Sequence, residues 1–298
     1  MRHRNYVLVL TVACLCAASQ VQAQTLLRYQ HKKDDKLHYV YEQEMTTTLL
    51  VKDKESETKL NVIWDLSWTI LEVEAGGAAQ WQIQITRARM FVDGPAGKAA
   101  ADSDDKTEPE DAIRKSMAGA VKLMAAMDLR GTILPTGEIK AVKPSPETLK
   151  ALKELGGVKK EEDLLNSDVA KSMLFSTVLL SDAVAKGKTW LHKTEAQAPY
   201  GKTIIENTYA YEGPTEKNGV KLEKISIKPT MKIEPDAKAA VKVEIKDFKG
   251  AGHVLFDNKA GRLTETFIHQ RSEMRFEAKG MNFSQTIEQR VLIRLKAK

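Results

Sequence analysis

The chain closes on MNFSQTIEQRVLIRLKAK, residues 281–298. Every second residue from Met281 through Phe283, Ile287, Val291, Ile293 and Leu295 is apolar or an uncharged amide, while Asn282, Ser284, Glu288, Arg290, Arg294 and Lys296 lie between. Strict alternation is the signature of an extended strand with one greasy and one wet face. At about 3.4 Å per residue such a run spans roughly 50 Å, well beyond the usual five or six residues.

The pattern recurs at both ends. Leu37, Tyr39, Tyr41, Met45, Leu49 and Val51 form one such series. Leu60, Val62, Trp64, Leu66, Trp68 and Ile70 form the next, and Trp81, Ile83 and Ile85 follow a turn at Gly76-Gly77. Beyond Thr189, strands are expected near 189–197, 203–212, 219–233, 240–248, 251–257, 262–278 and 281–296, with turns at Gly213, Asn218-Gly219, 257–261 and Lys279-Gly280. Long strands joined by short connections make antiparallel meanders.

Between the two β-rich parts the period changes. DGPAGKAAADSDDKTEPED, residues 93–111, reads as a polar loop, with Thr107 and Glu110 as a capping box. Ile113, Met117, Val121 and Met124 then share one helical face. A small hairpin is expected over 131–142, turning at Pro135-Thr136-Gly137. A second helix starts at Ser145-Pro146, and a third runs from about 161 to 180 through Leu165, Val169 and Met173. Each sheet has an apolar face that must be covered. The expected fold is therefore mainly β (α+β): a long-stranded, curved antiparallel sheet or half-barrel wrapped on a helical insert at about 110–180, within one domain over residues 24–298. A gap between sheet and helices would be an apolar cavity. Met117, Val121, Met124, Met173, Trp64 and Trp68 are its candidate liners, against the plainer reading of these residues as core.

Residues 1–23, MRHRNYVLVLTVACLCAASQVQA, have a basic start, a short apolar middle and a small-residue cleavage site at Ala23. That is an export signal, too short to span a membrane. The mature chain is expected to be periplasmic or extracellular, with no transmembrane segment. Both cysteines, Cys14 and Cys16, lie in the signal, so the mature protein has no disulfide and its stability must come from packing. Thr11-Val12-Ala13-Cys14 loosely resembles a lipoprotein processing site, an alternative in which an acyl group on Cys14 would anchor the chain. Loss of Arg2 and Arg4 leaves 44 basic against 40 acidic residues, a net charge of +4. Both signs alternate along the strands, which together with export argues against a nucleic-acid partner.

No motif for catalysis emerges. His31, His38, His192, His253 and His269 are the mature histidines, and no two are spaced as helical metal ligands. Asp102, Asp104, Asp105 and Glu108 lack the glycine and terminal glutamate of a calcium loop. Gly187-Lys188-Thr189 and Gly201-Lys202-Thr203 echo a phosphate-binding loop, but Asp182 and Ala196 stand where its first glycine belongs, and strands rather than helices follow. No Gly-x-Ser-x-Gly elbow occurs. Neither a metal nor a cofactor is implied.

KGKTWLHKTEAQAPYGKTIIENTYAYEG (186–213), GAGHVLFDNKAGRLTETF (250–267) and KKDDKLHYVYEQEMTTT (32–48) carry a family resemblance. The Gly187-x-x-Trp190 strand opening, Gly252, Phe256-Asp257 and Gly261-Arg262-Leu263 resemble an uncharacterised family of exported bacterial proteins. More distantly, a curved sheet around helices is similar to periplasmic lipoprotein-carrier half-barrels. The resemblance implies a fold and no functional residue. Two functions follow as expectations: a non-catalytic binding module for a lipid or other apolar small molecule, or a structural component of the cell envelope with a filled core and an envelope protein as its partner.

Overall fold

The computed structural model describes residues 24–154, 177–278 and 281–296. The export signal, with Cys14 and Cys16, and most of the third expected helix, with Met173, lie outside the described residues. In chain order the elements are β1 (Lys36–Val51), β2 (Lys54–Val73), β3 (Ala79–Gly94), β4 (Gly97–Asp102), α1 (Ala112–Ala125), β5 (Asp128–Ile133), β6 (Ile139–Pro144), α2 (Pro146–Glu154), β7 (Thr189–Ala198), β8 (Gly201–Lys217), β9 (Val220–Pro235), β10 (Val241–Asp257), β11 (Arg262–Ala278) and β12 (Met281–Leu295).

Among the described residues these twelve strands make one antiparallel sheet in the order β6-β5-β3-β2-β1-β12-β11-β10-β9-β8-β7, with β4 paired to the outer part of β3. The closing strand lies between β11 and β1. It meets β1 from Tyr39↔Leu295 to Val51↔Phe283, which joins the two β-rich parts into one surface. The sheet curls without closing, and β6 and β7 are its edges. Bulges within β3, β8, β10 and β11 supply local twist. Gly250 and Gly252 bring β10 close to its neighbours, where a Cβ would lie 2.4 Å from Pro229 Cγ and 2.3 Å from the Phe267 carbonyl oxygen respectively.

Alternation decides which side faces in. The concave face carries Tyr39, Tyr41, Leu66, Ile70, Trp81, Ile83, Ile85, Tyr209, Ile225, Ile227, Val254 and Ile293, all members of one buried cluster. At about 1.5–3 kcal/mol for each large side chain, this face is the main stabilising element. Ion pairs such as Lys296–Asp65 (2.6 Å), Arg294–Glu42 (2.7 Å) and Lys202–Glu234 (2.9 Å) decorate the other face.

One end of the curl is capped by chain rather than by helix. The N-terminal segment crosses it: Thr25 bridges Val184, Tyr29 N–H donates to the Pro135 carbonyl, and Gln30 N–H donates to Gly261. Thr177–Ser181 run beside it. Leu179 N–H donates to the Thr136 carbonyl, and the Arg28 guanidinium donates to the carbonyls of Leu180 and Ser181.

The structure corrects several local expectations. Residues 97–102 of the supposed polar loop form β4, paired from Arg89↔Asp102 to Gly94↔Gly97. Asp111, not Thr107, caps α1, accepting from Arg114 N–H at 2.8 Å. The strands expected at 240–248 and 251–257 are one strand running through Gly250. Residues 177–180 of the third expected helix are not helical. Among the described residues α1 lies against β3 and β4, and α2 lies near β5 and β6.

Candidate ligand-binding site

A cavity of about 490 Å³ lies on the concave face, a size typical of small-molecule sites. Its wall is sheet. β1 supplies Tyr41, β12 Val291 and Ile293, β11 Thr266, Ile268 and Gln270, β9 Ile227 and Pro229, and β8 Ile205, Asn207 and Tyr209. Its opposite side is formed by Glu138 and Ile139 at the start of β6, by Thr177 and Val178, and by His192–Thr194 of β7. The cavity thus occupies the seam between the two unpaired edges. It is there because the sheet is long enough to curl round and the edges do not meet.

Register arranges its lining in layers, since residues two apart on a strand share a face. One layer reads Trp190-Tyr209-Ile227-Gly252-Ile268-Val291-Gln43-Val62 across consecutive strands. The layer above it reads His192-Asn207 on β7 and β8, then Pro229, then Gly250-Gln270-Gln289-Met45-Leu60. Above that lie Thr194-Ile205-Met231 and, across the sheet, Phe248-Ser272-Ile287-Thr47-Thr58.

The sheet side of the site carries no Asp, Glu, Lys or Arg at its centre. Burial pushes the phenols of Tyr41 and Tyr209 up to about 12, so both stay neutral. Tyr41 Oη donates to Gln43 Oε1 at 2.6 Å, and Gln270 Nε2 donates to Gln289 Oε1 at 2.9 Å. Thr266 is 5 % exposed, and its Oγ1 has no hydrogen-bond partner among the described residues. The two charged side chains at the rim are already paired, Lys193 with Glu195 and Glu138 with Lys140, each at 2.6 Å. No group of three His, Cys, Asp or Glu residues placed to hold a metal occurs among the described residues.

The residues singled out from the sequence divide. Met117 and Val121 are buried in α1 and Met124 is partly buried there, packed with the core near β3 and β4 and away from this cavity. Trp64 stacks on Tyr41, its cross-strand partner, with ring centres 4.6 Å apart, one strand beyond the lining. Trp68 packs on Trp81 at 5.8 Å and lines a separate void of about 50 Å³ at the capped end. The strands that carry much of the lining, β8, β9 and β11, were expected near 203–212, 219–233 and 262–278, but nothing local marked them as the ones that face a cavity.

No family model and no curated protein matches the sequence. Solved structures are similar to it in fold at low identity. A lipovitellin structure described for its lipid–protein interactions is 12 % identical with a TM-score of 0.47, over 89 % of this chain and 25 % of that one, so the chain spans about a quarter of the lipovitellin length. A putative exported protein with a YmcC-like fold from Bacteroides fragilis is 9 % identical with a TM-score of 0.22, over 91 % of this chain and 99 % of that one. A putative outer membrane lipoprotein-sorting protein domain from Vibrio parahaemolyticus is 12 % identical with a TM-score of 0.14, over 87 % and 86 % of the two chains. No helix among the described residues is long and apolar enough to cross a membrane.

Proposed function

We propose that this protein is an exported, non-catalytic binding module for a lipid or other apolar ligand, acting in the periplasm or outside the cell as one domain after its leader is removed. The observation that carries the reading is the 490 Å³ cavity lined by Ile205, Ile227, Ile268, Val291 and Ile293 between two sheet edges that do not pair.

The test is retention of lipid. The mature chain is purified from an envelope fraction without detergent, extracted with organic solvent and compared by mass spectrometry with an Ile268→Trp chain, whose indole occupies the cavity. Stoichiometric lipid on the wild type and at least a tenfold loss on the variant are expected. A lipid-free wild type that also takes up no acyl probe from vesicles removes the proposal.

A further inference from the structure

The concave face is not uniformly greasy. Four successive layers, from Trp190-Tyr209-Ile227 up to Ala196-Thr203-Ile233 and the strands facing them, contain no Asp, Glu, Lys or Arg. Within that charge-free stretch, one layer gathers three carboxamides, Asn207, Gln270 and Gln289. The layer below carries Tyr209, Ile227, Ile268 and Val291 beside Gln43, and the layer above carries Ile205, Met231, Phe248 and Ile287 beside the hydroxyls of Thr194, Ser272, Thr47 and Thr58. Asn207 and Gln270 both line the cavity, and Gln270 is bonded to Gln289. That bond uses one amide group of each glutamine. The Gln270 carbonyl and the Gln289 amino group remain, and Asn207 makes no side-chain hydrogen bond among the described residues.

Resting on the proposed lipid-binding role, we infer that the bound lipid carries an uncharged, hydrogen-bonding linkage, an ester of the glyceride type, placed at the Asn207–Gln270–Gln289 layer with acyl chain in the cavity below. Two features select this class. Carboxamides donate hydrogen bonds to an ester carbonyl without requiring a counter-charge. A free carboxylate or a phosphate held at the same depth would be a desolvated charge, and among the described residues the one lysine lining the cavity, Lys193, is already paired with Glu195, which leaves His192 of the same layer as the titratable group nearest to it. Below the Asn207 layer the lining runs down to the level of Tyr41 and Thr266, four residues along a strand or about 14 Å. That is the reach of a medium-length acyl chain. A plain hydrocarbon would bury the carboxamides with nothing to bond, and a dialkyl ether offers a much weaker acceptor at the same place.

The experiment compares glycerol lipids of equal chain length on the delipidated mature chain. The probes are a diacylglycerol, the matching dialkylglycerol ether, the free fatty acid and a long alkane, with binding followed by native mass spectrometry and by tryptophan fluorescence. The diacyl ester is expected to bind about tenfold more tightly than the diether and the free acid. In a Gln270→Leu/Gln289→Leu chain the ester-to-ether ratio should fall to about one while total apolar binding persists. Asn207→Leu, on a different strand, should reduce the ratio independently if the double variant does not fold. Equal ester and ether affinity in the wild type overturns the ester assignment and leaves the apolar carrier standing, as does an unchanged ratio in the variants. Binding of none of the four probes overturns both.

Discussion

Gly252 tests whether the shape of the trough is set by a backbone contact. It lies between Ile227 of β9 and Ile268 of β11. A Cβ built there falls 2.3 Å from the carbonyl oxygen of Phe267 and 3.1 Å from both Cα and Cγ1 of Ile268. Those backbone atoms belong to a strand paired on both sides, so β10 must move away. Overpacking of this kind costs about 1–3 kcal/mol, and each ladder hydrogen bond lost in the retreat adds about 1 kcal/mol. Gly252→Ala should therefore lose about 2–4 kcal/mol. The same chemical change at Gly119, exposed in α1 with nothing within 4 Å of an added Cβ, should instead gain about 0.5–1 kcal/mol through helix propensity. Urea titration followed by tryptophan fluorescence separates the two, with midpoints expected to move in opposite directions. A Gly252→Ala midpoint within about 0.5 kcal/mol of the wild type, the ordinary scatter of an inconsequential surface change, would refute the argument that close approach shapes this wall.

Three further outcomes are expected. Trp190→Phe removes the indole N–H that donates to the Val178 carbonyl at 2.8 Å; the orphaned carbonyl should cost about 1–3 kcal/mol, and amide exchange at Leu179 should accelerate while β1 and β12 stay protected. Thr266→Val keeps the side chain's shape and deletes a buried hydroxyl that has no partner among the described residues, so the unloaded chain should gain about 1 kcal/mol in thermal denaturation; a loss of that size would show the hydroxyl to be bonded. His31 is held below the ordinary histidine pKa by burial, against an opposing backbone hydrogen bond with Leu134. The unfolded chain therefore takes up the proton first, and stability should be complete above about pH 6.5 and decline as pH falls toward the folded value. His31→Gln should flatten that part of a melting-temperature profile, and an unchanged slope would exclude His31 as its source.

Periodicity made the wall readable. The strand at 262–278 lies where alternation places it, and Trp64, Leu66 and Trp68 share the face they were expected to share with Val62 and Ile70. Local rules failed where distant backbone decides. Gly250 looks like a strand breaker but is held inside β10 because Pro229 fills the space a side chain would need. The Gly97–Asp102 stretch reads as loop because alanines carry little strand signal, yet it finds an edge to pair with on Phe91 and its neighbours. The methionine-bearing helix drew attention as a cavity liner because helical spacing is visible in one dimension. Which strands that helix leaves uncovered depends on α1 docking beside β3 and β4, and no short-range pattern records that choice.

The unclosed seam gives the cavity its character. Closing the curl would require β6 and β7 to pair, but β6 has six residues with Lys140 and Lys143 along it and Pro144 at its end, while β7 runs into Pro199. Short length, charge and proline are the features that keep sheet edges from zipping together. Residues 177–180 span the gap instead, with a backbone bond from Leu179 to Thr136 on the β5–β6 side and the Trp190 indole bond to Val178 on the β7 side. At about 1 kcal/mol net for each such bond, these two bonds contribute far less than the pairing of β1 with β12 over thirteen consecutive positions. Among the described residues the wall is thus joined by strand pairing everywhere except along one line, and that line forms one side of the cavity.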